Sequence, residues 1–234
     1  MSSSPVFSAG VRFQNVEKRY GSVRALRRLS LEIKPRETVI LAGRNGSGKT
    51  ILLRVAAGLV RPTAGSVSVF SDRPDPELAC PTLGFVAHQT MVYDELTAEE
   101  NLTLFARLLG ISRQDERVRA LLEEVGLGER RASLVRTFSR GMRQRLSIAR
   151  NLLVQPSLFL LDEPGTGLDP QGASWLEGTL RQLSAAGCTI LMSLHGRSEL
   201  ISLATRAVRL EAGALVADSQ GGGTIASVLS FADA

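Results

Sequence analysis

The chain has 234 residues, a net charge of +5 and two cysteines, Cys80 and Cys188, without metal-ligand spacing. That length accommodates one domain with an inserted subdomain, no apolar run is long enough to cross a bilayer, and the opening Met1-Ser2-Ser3-Ser4-Pro5 lacks the apolar core of a signal peptide. The cysteine usage reads as a reduced, cytosolic setting, and the scattered arginines, densest over residues 136–150, read as compositional bias, so nucleic acid is not an expected partner.

In chain order, short β-type runs come first, at Val11-Arg12-Phe13 and Leu29-Ser30-Leu31-Glu32-Ile33. The strand Thr38-Val39-Ile40-Leu41 then leads into Gly43-Arg44-Asn45-Gly46-Ser47-Gly48-Lys49-Thr50, which fits G-x-x-x-x-G-K-[ST], and a helix follows from Ile51. Strand, loop and helix in that order are the context the phosphate-binding loop requires. Gly43, Gly46 and Gly48 permit the turns that aim backbone N–H groups, including those of Asn45 and Ser47, at a phosphate. The helix N-terminus adds partial positive charge, Lys49 a full charge, and the Thr50 hydroxyl a ligand for Mg²⁺. A further β-type run, Ser66-Val67-Ser68-Val69, completes this strand-rich part.

Residues 88–150 change to helical periodicity. Thr97-Ala98-Glu99-Glu100 is a capping box opening a helix through Leu109, and residues 113–125 form an amphipathic helix stopped by Gly126. Ser139 is placed to N-cap a third helix, whose outward N-terminus is an anion site. Past residue 151, Ser157-Leu158-Phe159-Leu160-Leu161-Asp162-Glu163 reads as a buried strand delivering two carboxylates at its tip. Asp162 there holds Mg²⁺ beside Thr50, and Glu163 orients or deprotonates an attacking water. Asp169-Pro170 is an N-cap followed by Pro in the first helical turn. Strands at 207–210 and 214–217 flank a turn at Gly213, and the Gly-rich run after Gln220 predicts a loose tail with a short apolar segment near Val228.

The run from Phe138 to Arg150 resembles the signature of the ATP-binding-cassette (ABC) ATPases, usually Leu-Ser-Gly-Gly-Gln before a basic helix: Ser139 and Gly141 match, and Phe138, Arg140 and Met142 depart from the commonest form. Four further matches lie in the family's order around the phosphate loop. Tyr20 corresponds to the aromatic that stacks on adenine, and Gln89 to the glutamine that senses the γ-phosphate and its metal. Gly167-Leu168-Asp169 corresponds to the loop that crosses to a partner subunit, and His195 to the switch histidine. The resemblance spans roughly residues 11–218. It implies an α/β fold, a P-loop NTPase (RecA-like) core with an antiparallel β lobe and an inserted α-helical subdomain. Core and β lobe take residues 1–87 and 151–219, the helical subdomain 88–150, and the tail 220–234.

The resemblance also implies the activity: ATP hydrolysis with Mg²⁺ at two composite sites of a homodimer, each closed by Ser139 and Gly141 of the other copy. Transmembrane permease subunits are the expected partners, at the cytoplasmic face of the cell membrane, docking on residues 91–96 against Tyr93 and Leu96. The signature run looks like that of the haem exporter ATPase of cytochrome c maturation. The alternative is the ATPase of a drug, antibiotic or polysaccharide exporter, and a third reading is a non-transport ABC ATPase acting on ribosomes or DNA. Gly196 stands after His195 where the family commonly has Asp, and Ile51 follows Thr50 in place of a second Thr.

Overall fold

All five residues of the strand Leu158–Asp162 are buried, so this strand must be covered on both faces. In the computed structural model, which describes residues 9–71, 82–194 and 198–229, two hydrophobic clusters provide that cover. Cys80 and His195 lie outside the described residues.

The elements run β1 (Ala9–Tyr20), β2 (Val23–Ile33), β3 (Thr38–Ala42), α1 (Lys49–Ala56), β4 (Ala64–Ser71), β5 (Leu83–Val86), α2 (Ala98–Leu108), α3 (Gln114–Glu124) and α4 (Arg140–Leu152). After them come β6 (Leu158–Asp162), α5 (Pro170–Ala185), β7 (Thr189–Ser193), β8 (Arg206–Glu211), β9 (Ala214–Asp218) and α6 (Ile225–Leu229). One sheet has the order β5-β6-β7-β3-β8-β9, parallel except for the β8–β9 hairpin, and a second, antiparallel sheet has the order β2-β1-β4.

Alternation along the strands divides the core. Leu158 and Leu160 of β6, with Val39 and Leu41 of β3, face α1 and the inner side of the antiparallel sheet, where Leu52, Leu53, Phe13 and Leu29 are buried. Phe159 and Leu161, with Ile40 and Met192, face the helices on the other side, in one cluster continuous with Leu102, Leu121 and Leu146 of α2, α3 and α4. The helical lobe therefore shares its hydrophobic core with the sheet it is inserted beside. α2 begins as expected: Thr97 Oγ1 accepts from Glu100 N at 3.1 Å, and Glu100 Oε2 accepts from Thr97 N at 2.8 Å.

β1 and β2 are longer than the β-type runs predict, for a local reason. Leu26 and Leu29 are both buried although three residues apart, a spacing that reads as helical. A bulge reconciles them: Lys18 pairs with Leu26 and Val16 with Leu29, with Arg28 at φ 42° in the extra position, and Asn15 at φ 47° does the same in β1. At the other end, Val228 and Leu229 of α6 are buried against the helical-side core, so the apolar segment beyond Gln220 docks. Arg206, buried in β8, pairs with Glu37 at 3.2 Å and with Asp218, tying the strand ends together. Loss of one partner from such a buried pair typically costs about 3–5 kcal/mol.

Cys188, just before β7, is 1% exposed, and burial pushes its thiol up to about 12. The reactive thiolate is thereby suppressed. A Cys80→Ser variant is expected to show no reaction with a disulfide reagent at about pH 8 while folded, and full labelling in urea. Rapid labelling of the folded variant would contradict this burial.

Candidate active site

The loop between β3 and α1 is turned by Gly43, Gly46 and Gly48, at φ 139°, 78° and 106°. A Cβ on Gly43 would collide with the Leu210 carbonyl, so glycine is the residue that fits. The turn between β8 and β9 supports the loop from below. Gly213 N–H donates to Ser47 O at 3.0 Å, and Gly213 O accepts from Arg27 N at 2.8 Å. A Cβ on Gly213 would lie 2.7 Å from the Ala25 carbonyl. In the sequence Gly213 marks a hairpin turn and nothing announces its role beneath the loop.

Lys49, 6% exposed, donates from Nζ to Gly43 O at 2.6 Å and Arg44 O at 3.2 Å. Burial lowers its pKa, and the charges of Glu163 and Asp162 oppose that shift. Ser47 Oγ is buried in the same loop with no hydrogen-bond partner, an open donor where a phosphate oxygen would accept. Across from the loop, Thr50 Oγ1 donates to Asp162 Oδ1 at 3.1 Å, and Ser193 Oγ donates to the same oxygen at 2.7 Å. Glu163 leaves the strand at φ 51° and its N–H donates to Ser193 Oγ at 3.0 Å, so Ser193 positions both acidic residues. Ser193, the last residue of β7, carries no signal in the sequence that points to this role. Nor does the sequence single out His88, whose Nδ1 is 3.9 Å from Glu163 Oε2.

A second cluster forms at the N-terminus of α4. Ser139 Oγ accepts from Met142 N at 3.3 Å, and Ser139 itself is exposed. The atoms nearest a Cβ on Gly141 belong to Gly167 and Leu168, and the Arg140 side chain lies over Gly167. Gln144 Nε2, buried, donates to Pro164 O at 3.0 Å, and Arg145 Nη2 donates to Asp169 Oδ1 at 2.9 Å. Asp169 Oδ1 also accepts from Gly172 N, and that bond, followed by Arg145, holds its carboxyl below the usual range. A cleft of about 610 Å³ lined by Glu163, Leu168 and Asp169 borders both clusters.

Among the described residues, then, Lys49, Thr50, Asp162 and Glu163 meet at one place and Ser139, Gly141 and Asp169 at another. Tyr20 ends β1 half exposed, with Lys18 Nζ 4.8 Å over one face of its ring. Gln89 is exposed after β5, outside the hydrogen-bond set of Asp162.

Comparison with known proteins is consistent with this geometry. Residues 26–166 match the family model for the ABC transporter. The chain is 38% identical to the Nod factor export ATP-binding protein I of Burkholderia orbicola, across 90% of this chain and 70% of that protein. To the daunorubicin resistance ATP-binding protein of Streptomyces coeruleorubidus it is 36% identical, across 89% and 67%. A solved dimeric, post-hydrolysis ATP-binding cassette bound to ADP and Pi superposes with a TM-score of 0.77 at 29% identity, covering 89% of this chain and 97% of that one. This chain belongs to the ABC transporter family, as one of its ATP-binding, ATP-hydrolysing subunits.

Proposed function

We propose that the chain drives an exporter of drug-like or antibiotic-like small molecules, by hydrolysing ATP at sites shared between two copies. The observation that carries the hydrolytic part is the meeting of Lys49, Thr50, Asp162 and Glu163 where β3 and β6 end. In this reading ATP lies along residues 43–50 with adenine on Tyr20, and Lys49 exchanges the loop carbonyls for phosphate oxygens. Thr50 and Asp162 offer hard oxygen donors that suit Mg²⁺, and Gln89, phosphate and water would supply the remaining ligands. Bound there, the ion neutralises phosphate charge. Glu163 then takes the proton of the attacking water, and the resemblance assigns Gln89 and His195 to the γ-phosphate.

Among the described residues no helix is long and apolar enough to cross a membrane. In this reading a permease supplies the membrane spans and holds this chain at the cytoplasmic face. A docking surface is at hand: Met91, Tyr93, Leu108 and Leu109 are all exposed, and Tyr93 stacks on Phe105 with ring centroids 6.0 Å apart. The expected anchor Leu96 is partly buried: its carbonyl accepts from Val135 N–H and the adjoining Thr97 bridges to Leu134. Asp94 is held by Arg143, Glu95 faces Arg136, and Arg150 donates to Met91 O. Arg136, Arg143 and Arg150 thus have partners within the chain.

Export of natural products replaces the haem reading of the signature run, since the relatives above are named for Nod factor export and daunorubicin resistance. Deleting the gene is expected to increase sensitivity to an exported compound and to leave c-type cytochromes intact. Loss of c-type cytochromes with unchanged drug sensitivity would return the assignment to haem.

A further inference from the structure

β5 and β6 are parallel neighbours in unbroken register, Leu83 beside Leu158 through Val86 beside Leu161. One step further along that register lie Ala87 and Asp162, and the next step brings His88 level with Glu163. The side chains follow: His88 Nδ1 is 3.9 Å from Glu163 Oε2, with the Glu163 side chain 22% exposed and that of His88 53%. Phe85 N–H, three residues before His88, donates to Asn151 Oδ1 at 2.8 Å, so the strand that delivers His88 is itself anchored on α4.

We propose that His88 is a positioning residue for Glu163, tying the hydrolytic carboxylate to the segment that carries Gln89. This rests on the reading of Glu163 as the base. The backbone of Glu163 is pinned through its N–H to Ser193 Oγ at 3.0 Å, but that bond does not fix the carboxylate. A free Glu side chain loses rotamer entropy when it is ordered for the reaction. A donor on Oε2 restricts the carboxylate and leaves Oε1 to the water. At 3.9 Å the pair is too long for a hydrogen bond. A rotation of either side chain or a small shift of the segment after Val86 closes it, and Gln89 adjoins His88 in that segment. His88 thereby makes the geometry of the base depend on the position of the Gln89 segment. An incidental surface pair of this kind leaves turnover unchanged.

The two readings separate in steady-state ATPase assays of the purified full chain. His88→Leu is expected to lower kcat roughly tenfold with KM for ATP within about twofold, the pattern of a lost orientation rather than lost binding. His88→Asn, whose Nδ2 stands near the place of Nδ1, is expected to stay within about threefold of wild type. In a Glu163→Gln background His88→Leu is expected to add nothing, because the group it positions is already disabled. Unchanged kcat in His88→Leu overturns the proposal, and so does an equal further loss in the Glu163→Gln background. If Glu163→Gln alone keeps wild-type turnover, the base assignment falls and this proposal with it, a result distinct from the other two.

Discussion

Purified Glu163→Gln protein is expected to bind ATP as tightly as wild type while turning it over about 10²–10⁴-fold more slowly, the range a general base contributes. The structure gives the reason to separate the two carboxylates at the tip of β6. Asp162 is 3% exposed and engaged by two hydroxyls, Thr50 Oγ1 and Ser193 Oγ, which fix its carboxylate in place. Glu163 turns out of the strand at φ 51° into the cleft, where its carboxylate is partly exposed and not committed to a hydroxyl. Glutamine keeps the size and the backbone bonds but has no lone pair basic enough to take a proton. Lys49→Ala is the contrasting variant: it removes the buried ammonium from the loop and should weaken binding itself. Nucleotide binding followed by fluorescence, with phosphate release measured in the same preparation, distinguishes the two patterns. Near-normal hydrolysis by Glu163→Gln would remove Glu163 from the role of base.

What the sequence reveals and what it conceals follow from how local each interaction is. Residues 43–50 are legible because a phosphate loop is contiguous: turn glycines, a lysine and a hydroxyl sit in one octapeptide between a strand and a helix. Asp162 and Glu163 are legible because an apolar run that ends in acids, in a chain that also carries a phosphate loop, reads as a buried strand with a polar tip. Ser193 and Gly213 are opaque, since each acts on a residue far away in the chain, Asp162 and Ser47 respectively. Their sequence surroundings are an ordinary strand end and an ordinary hairpin. The strands β1 and β2 are opaque for another reason. Bulges at Asn15 and Arg28 change the alternation partway along, so Leu26 and Leu29 mimic a helical stripe. The signature cluster is legible as a capped helix with an open N-terminus, because Ser139 and the turn it caps are contiguous. Its clamp on residues 164–169, through Gln144 and Arg145, is not legible.

The separation of the two clusters bears directly on assembly. Among the described residues no hydrogen bond links Ser139 or Gly141 to the loop at 43–50, and α4 presents Ser139 to solvent. A helix N-terminus left open in this way attracts an anion. If the anion is the γ-phosphate bound to a second copy, two copies related by a two-fold axis satisfy both ends at once.

A mixture of two disabled variants is expected to recover activity that neither has alone. Lys49→Ala breaks the phosphate loop and Ser139→Arg breaks the signature, so in either homodimer every shared site contains one broken half. In the mixed dimer one site collects both defects, and the other joins the intact Lys49 of one chain to the intact Ser139 of its partner. With random pairing, half the dimers are mixed and each has one working site, so the mixture should approach roughly a quarter of wild-type turnover at most. ATP-dependent dimer formation, followed by light scattering, should rise on mixing in the same proportion. Removing the Ser139 N-cap costs about 1 kcal/mol of helix stability, so circular dichroism must first show that α4 is retained. If each site instead used Lys49 and Ser139 of a single chain, both sites of the mixed dimer would stay broken. Flat activity and flat scattering from two folded variants would then mean that the outward face of Ser139 serves something other than the nucleotide of a second copy.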